Sequence, residues 1–232
     1  MDSLKPIYLF ADSQLLFWKT ESQLFIKSIL PHISASEPKA AYIGASNGDL
    51  AEYFEIFKSA MESIGIHDCR MILSDFGEQD QNYLEQADLI LLAGGDVEQG
   101  WRHIDSSGIK DAVLKRYTEG SVLIGVSAGA VQLGMCALRQ NQKLLTTFQI
   151  IPFIIGAHEE KQEWAQLKQT LEIKNGYEKG LGMPAGGGMI YHPDHTVEPI
   201  RHTITELYLQ DRQMVANLLS PGGEKTRSAA VH

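Results

Sequence analysis

The stretch Ser121–Met135 reads SVLIGVSAGAVQLGM. Its first half, Ser121 to Val126, is a continuous apolar run without alternation, the pattern of a strand covered on both faces. The run ends at Gly125-Val126-Ser127-Ala128-Gly129, and from Ala130 onward the residues suit a helix. Strand, glycine-flanked turn and helix together form the context that a G-x-S-x-G nucleophile elbow requires. In such a turn the Ser127 hydroxyl projects from the C-terminal end of the strand. The helix start beyond it offers free N–H groups and partial positive charge to a developing oxyanion. A glycine-rich turn can also serve only to seat a helix on a strand, but the local context favours the reactive reading.

Upstream, Asp88 to Ala93 (DLILLA) is a second buried strand, and it runs into Gly94-Gly95-Asp96. Ligands of open parallel sheets sit at the carboxyl ends of the strands. A Gly-Gly turn there allows the Gly95 N–H to face a reacting carbonyl and, with the Ala128 N–H, to complete a two-donor oxyanion hole. Gly94 and Asp96 are candidate substrate contacts beside it.

Working outward, Pro6–Phe10, Lys39–Ile43 and Cys69–Leu73 are further strands. Helical spacing appears over Glu21–Leu30 and Ser107–Thr118. A helix capped by Asp49 would carry the apolar face Leu50, Tyr53, Phe54, Phe57 and Met61. Buried strands alternating with helices predict an α/β fold, a three-layer sandwich around a mostly parallel sheet. After Leu171 the helical period fades, and Leu207–Leu209 with Met214–Leu218 suits a hairpin about Gln210-Asp211-Arg212. One domain is expected over residues 1–219, with a polar, flexible tail from Ser220 to His232.

A serine nucleophile needs a base. Of eight histidines, His158 follows the apolar run Ile154-Ile155-Gly156-Ala157, which would set it on the same sheet edge as Ser127. His192 and His195, in Tyr191-His192-Pro193-Asp194-His195, have the spacing of a metal pair but no evident third ligand, and read as a solvated turn.

Composition bounds the function. The chain has 232 residues, 44% hydrophobic and 21% charged, with a formal charge of −9. Its Lys and Arg residues are scattered singly, so the basic stripe that displaces counterions from nucleic acid is missing. Two cysteines, Cys69 and Cys136, and no CxxC suit reduced thiols in the cytoplasm. Met1–Lys5 lacks a signal-peptide pattern, and no apolar run approaches the roughly 20 residues of a membrane span. A two-fold homodimer is compatible with these features but not specified by them.

The segments AGGD and GVSAGA, in this order on an α/β chain of this size, resemble the dipeptidase E and cyanophycinase family of serine peptidases. The resemblance covers about Lys39 to Met189. It implies a class I glutamine amidotransferase-like, flavodoxin-like fold. It also implies Ser127 as nucleophile, His158 as general base, Gly95 and Ala128 as oxyanion donors, and a small peptide or amide as substrate without a metal or organic cofactor. Two departures stand out. No Asp or Glu occurs between Ser127 and His158, where the dipeptidase E branch places its triad acid. The later segment Gly182-Met183-Pro184-Ala185-Gly186 carries Ala185 where the cyanophycinase branch has a glutamate. Glu159 or Glu160 could stand in for the acid, or a backbone carbonyl could orient the imidazole. Members that cleave at aspartyl residues are also expected to carry arginines soon after the histidine, whereas Glu159–Leu171 reads EEKQEWAQLKQTL. An acidic substrate is therefore poorly supported.

Two other readings compete. One is a small-molecule or peptide binding or regulatory protein on the same scaffold with a decayed triad. The other is an α/β-hydrolase-type esterase, disfavoured because the chain has no HGG segment and its histidine follows the serine too soon. No GxGxxG or GxxxxGK[ST] points to a dinucleotide or nucleotide.

Overall fold

The computed structural model of the protein describes residues 4–174, 178–222 and 226–227. The chain begins with β1 (Ile7–Phe10), the small hairpin β2 (Lys19–Thr20) and β3 (Gln23–Leu24), and a 3-10 stretch over Phe25–His32. Next come β4 (Lys39–Ile43), α1 (Ala51–Glu62), β5 (Asp68–Ile72), α2 (Glu78–Leu84) and β6 (Leu89–Leu92). Two consecutive helices, α3 (Val97–Ser107) and α4 (Ile109–Thr118), lead to β7 (Val122–Val126) and α5 (Ala128–Leu133). The remainder is β8 (Cys136–Leu138), β9 (Leu144–Thr146), β10 (Phe153–Ala157), α6 (Ala165–Ile173) and β11 (Lys179–Met183). It closes with β12 (Gly188–Tyr191), β13 (Thr196–Ile200), β14 (Ile204–Gln210), β15 (Gln213–Leu219) and β16 (Thr226–Arg227).

The main sheet has the order β16-β13-β12-β1-β7-β6-β4-β5. β1, β7, β6, β4 and β5 run parallel, and β12, β13 and β16 add an antiparallel flank. Successive side chains of a strand face opposite sides, and here both sides are apolar. Ile7, Leu9, Ile90, Leu92 and Leu123 join α3, α4 and α5 in one core. Tyr8, Phe10, Leu89, Leu91, Val122 and Ile124 join α1 in another. The fold is the α/β sandwich that the unalternated strands imply.

A second sheet, β10-β11-β14-β15, starts with the parallel pair β10 and β11. Its apolar face is closed by Trp164, Leu167 and Leu171 at and within α6. The expected C-terminal hairpin is present as β14 and β15, with Asp211-Arg212 at its turn. Both cysteines are free.

Several local expectations are corrected. His158 lies at the end of β10, hence on the second sheet and not on the edge that carries Ser127. The chain leaves the main sheet through α5 and the β8–β9 hairpin, and β10 then finds its partner in β11. Asp49 does not cap α1. Asn47 Oδ1 accepts the Leu50 N–H at 3.2 Å, and Asp49 Oδ2 instead accepts the Ser74 N–H at 2.8 Å. Of the predicted α1 face, Phe57 and Met61 are buried, whereas Leu50 and Tyr53 are about half exposed. A helix absent from the sequence reading, α3, precedes the predicted one and is capped by Asp96, whose Oδ1 accepts the Gln99 N–H at 2.7 Å. The Glu21–Leu30 helix is replaced by β3 and a 3-10 stretch containing Pro31, which lacks the N–H an α-helix would use. Within the expected tail, Thr226–Arg227 pairs with β13, and residues 223–225 and 228–232 lie outside the described residues. Among the described residues, no helix is long and apolar enough to cross a membrane.

Candidate active site

The elbow forms because two glycines let α5 lie unusually close to the sheet. A Cβ at Gly125 would stand 2.7 Å from Ala130 Cα, and one at Gly129 would overlap the Leu92 carbonyl oxygen. Between them Ser127 adopts φ 49° and ψ −109°, a conformation that L-residues rarely hold and that costs on the order of 1–3 kcal/mol. The turn is fixed by the Ser127 N–H donating to Phe10 O on β1 at 2.8 Å, and by Val131 N–H donating to Ser127 O at 3.0 Å.

His158 reaches the same point from the second sheet. It too has positive φ, 48°, and its backbone N–H donates to Met183 O on β11 at 2.8 Å. The outcome is a 2.9 Å contact between Ser127 Oγ and His158 Nε2. With the Nδ1–H tautomer, Ser127 donates and Nε2 accepts, the arrangement of a serine and its base.

The Gly94-Gly95 turn stands over the serine. Gly94 leaves only 3.4 Å between its would-be Cβ and Ser127 Cβ. Gly95 adopts φ 137°, and a Cβ there would overlap the Ser46 carbonyl oxygen. Asp96 directs its N–H to Ser46 O at 2.7 Å while its carboxylate caps α3. Among the described residues, no protein acceptor takes the N–H of Gly95 or of Ala128.

Among the described residues, no hydrogen bond or ion pair joins a carboxylate to His158. Glu159 is not brought to the imidazole by contact. Burial raises its pKa, the Leu167 N–H offsets part of that rise, and the charge of His158 acts on it more weakly still. Oε2 of Glu159 and Oε2 of Glu160 are both buried without a hydrogen-bond partner. The segment Gly182–Gly186 does pass beside His158, through Met183 O, but Ala185 is exposed and carries no acid. His192 and His195 belong elsewhere. His192 Nε2 meets Glu198 Oε2 at 2.9 Å and His195 Nδ1 meets Tyr191 OH at 2.7 Å. No group of three metal-ligating side chains occurs among the described residues.

Ser127 and His158 stand between two clefts. One, of about 350 Å³, is of mixed character, with Asp96, Glu98, Gln140, Glu159 and Gln166 on its walls beside Val131, Leu138, Ile154 and Leu167. The other, of about 240 Å³, is walled by Leu16, Tyr42, Tyr53, Ile56, Phe57 and Val126. No lysine or arginine lines either one among the described residues. The apolar cleft was not read from the sequence. Its signal was the width of the α1 face, where Tyr53 exceeds what the core accommodates.

Comparison with known proteins agrees with this architecture. A peptidase from an acI-B1 Actinobacterium superposes with a TM-score of 0.74 at 14% identity, covering 97% of each chain. A protein assigned as a peptidase E from Listeria monocytogenes EGD-e gives 0.56 at 15% identity, covering 94% of this chain and 100% of its own. At these identities the likeness establishes the fold. No curated protein sequence matches the chain. The sequence model of peptidase family S51 matches residues 10–198, an interval that holds Ser127, His158 and the Gly94-Gly95 turn. The chain belongs to peptidase family S51 and is a serine-type peptidase.

Proposed function

We propose that Ser127 and His158 act as a nucleophile–base pair that cleaves a small peptide or amide through an acyl-enzyme. The observation that carries this reading is the 2.9 Å Oγ···Nε2 contact between residues on different sheets, each with a strained positive φ. Ser127 Oγ attacks the carbonyl carbon as its proton passes to His158 Nε2. The oxyanion so formed is met by the N–H groups of Gly95 and Ala128, which are fixed before the charge develops. Collapse breaks the C–N bond, and the departing amine takes the proton from His158. Water then attacks the ester, gives its proton to His158, and Ser127 recovers that proton as the acid product leaves. Every proton in this route moves between substrate, water, Ser127 and His158, so it calls for no metal or organic cofactor.

The missing carboxylate favours a second reading, a ligand-binding protein without turnover. Disabling a triad acid costs about 10⁴ in rate, yet leaves catalysis by the oxyanion hole and by binding, so a dyad can remain active. Hydrolysis of a dipeptide and amide panel separates the two. We expect turnover by the wild type, and a loss of at least about 10⁴-fold in folded Ser127→Ala. A panel left untouched by folded wild type, or cleaved equally by Ser127→Ala, would contradict the proposal.

A further inference from the structure

We propose that the cleft between the start of α1 and the end of β7 receives a bulky, uncharged, apolar or aromatic side chain of the residue next to the scissile bond. This substrate class rests on Ser127 being the nucleophile.

The cleft is continuous with the reacting atoms, since Gly95, Ser127 and His158 form its inner end. Its walls are Leu16, Tyr42, Tyr53, Ile56, Phe57 and Val126. At about 240 Å³ it is smaller than the roughly 300–1,000 Å³ sites that enclose whole ligands, and so suits one side chain. Tyr53 is 51% exposed and Ile56 is 38% exposed, leaving apolar surface that folding does not use. Covering it with a substrate side chain removes it from water, the non-directional driving force that apolar recognition relies on.

The polar groups on these walls are already engaged or neutral. Tyr42 OH accepts from Asn47 Nδ2 at 2.8 Å, and burial pushes its pKa up to about 12. The acidic residue of the lining is Asp12, whose oxygens accept the Gly186 N–H at 2.7 Å and the Gln14 N–H at 2.9 Å. An acidic side chain would meet that carboxyl group and, among the described residues, no lysine or arginine in the lining. The opposite cleft is lined by Asp96, Glu98 and Glu159, and Arg139 is already held by Glu98 at 3.2 Å. A carboxylate needs a paired charge or dedicated donors once desolvated, and among the described residues no arginine or lysine lines either cleft.

The test uses Ser127→Ala, in which peptides bind without being cleaved. Titration calorimetry compares N-acetylated, C-amidated Ala-Phe-Ala, Ala-Asp-Ala and Ala-Lys-Ala. We expect the Phe peptide to bind at least about tenfold more tightly than the Asp peptide. Adding Ile56→Arg should remove that preference by placing a cation in the apolar wall. Tyr53→Ser, at a more exposed position, should weaken the Phe peptide alone. Equal or tighter binding of the Asp peptide, no binding of any peptide, or an Ile56→Arg profile like its parent's would overturn the assignment. Fluorophosphonate labelling of wild-type Ser127 reports separately on the nucleophile, so failure of the pocket and failure of the dyad are told apart.

Discussion

Glu159 is the residue where a catalytic and a structural role predict opposite things. A carboxylate that oriented His158 would be indispensable, and its removal would cost about 10⁴ in rate. Glu159 instead has a raised pKa, with burial as the chief cause, and no hydrogen bond or ion pair to the imidazole among the described residues. Ionising it therefore works against folding. The stability linked to its protonated form is full below the ordinary glutamate range and is lost as pH rises through its own higher pKa. Gln at this site stays neutral throughout. In urea melts from pH 4 to pH 7, Glu159→Gln should gain stability relative to wild type as pH rises, with kcat/KM within about tenfold. A loss near 10⁴-fold would restore Glu159 as the missing acid.

Among the elements, the joint between β7 and α5 carries a strong steric demand. Ala is ordinarily better than Gly in a helix by about 1 kcal/mol. At Gly129 the sign reverses, because the added Cβ would overlap the Leu92 carbonyl oxygen, a backbone atom of the neighbouring strand. Gly129→Ala should destabilise by at least about 3 kcal/mol, read from the shift of the denaturation midpoint. An unchanged midpoint would show that α5 can retreat from β6 freely. The same packing logic explains what could be read from the chain. β4, β6 and β7 are legible because strands covered on both faces must be apolar throughout. α3 is not, because Gly100 interrupts it where the helix passes against Ser46, and its apolar face narrows to Val97, Trp101 and Ile104. A low-propensity residue required by close approach looks, in sequence alone, like a break. The apolar residues of α1 misled in the other direction. Leu50 and Tyr53 fit the helical period of a buried face, yet they are about half exposed, and Tyr53 lines the cleft. Period alone does not tell core from binding surface.

For the whole molecule, the division into two sheets matters most. The residues of the proposed pair were legible individually, Ser127 by its elbow and His158 by its place after an apolar run. The sheet that carries His158 was not, since β10 pairs with β11 across the intervening α6, and such pairings leave no local trace. The proposed pairing therefore rests on how the second sheet sits against the first, an arrangement secured by α5 and by the Met135 N–H donating to Phe153 O at 2.9 Å. The interval between Ser127 and His158 holds no Asp or Glu, and among the described residues no carboxylate bonds to His158. What the fold adds is a fixed main chain at His158, whose backbone N–H donates to the Met183 carbonyl.

The proposed pair of Ser127 and His158 is activated without a bonded carboxylate. This is tested most directly by treating the folded protein with a fluorophosphonate and locating the adduct by mass spectrometry, with His158→Ala in parallel. We expect a single adduct on Ser127, formed at least about 10²-fold more slowly without the imidazole, the lower range for general-base assistance. Folded wild-type protein that takes no label, or His158→Ala labelled as fast as wild type, would contradict it.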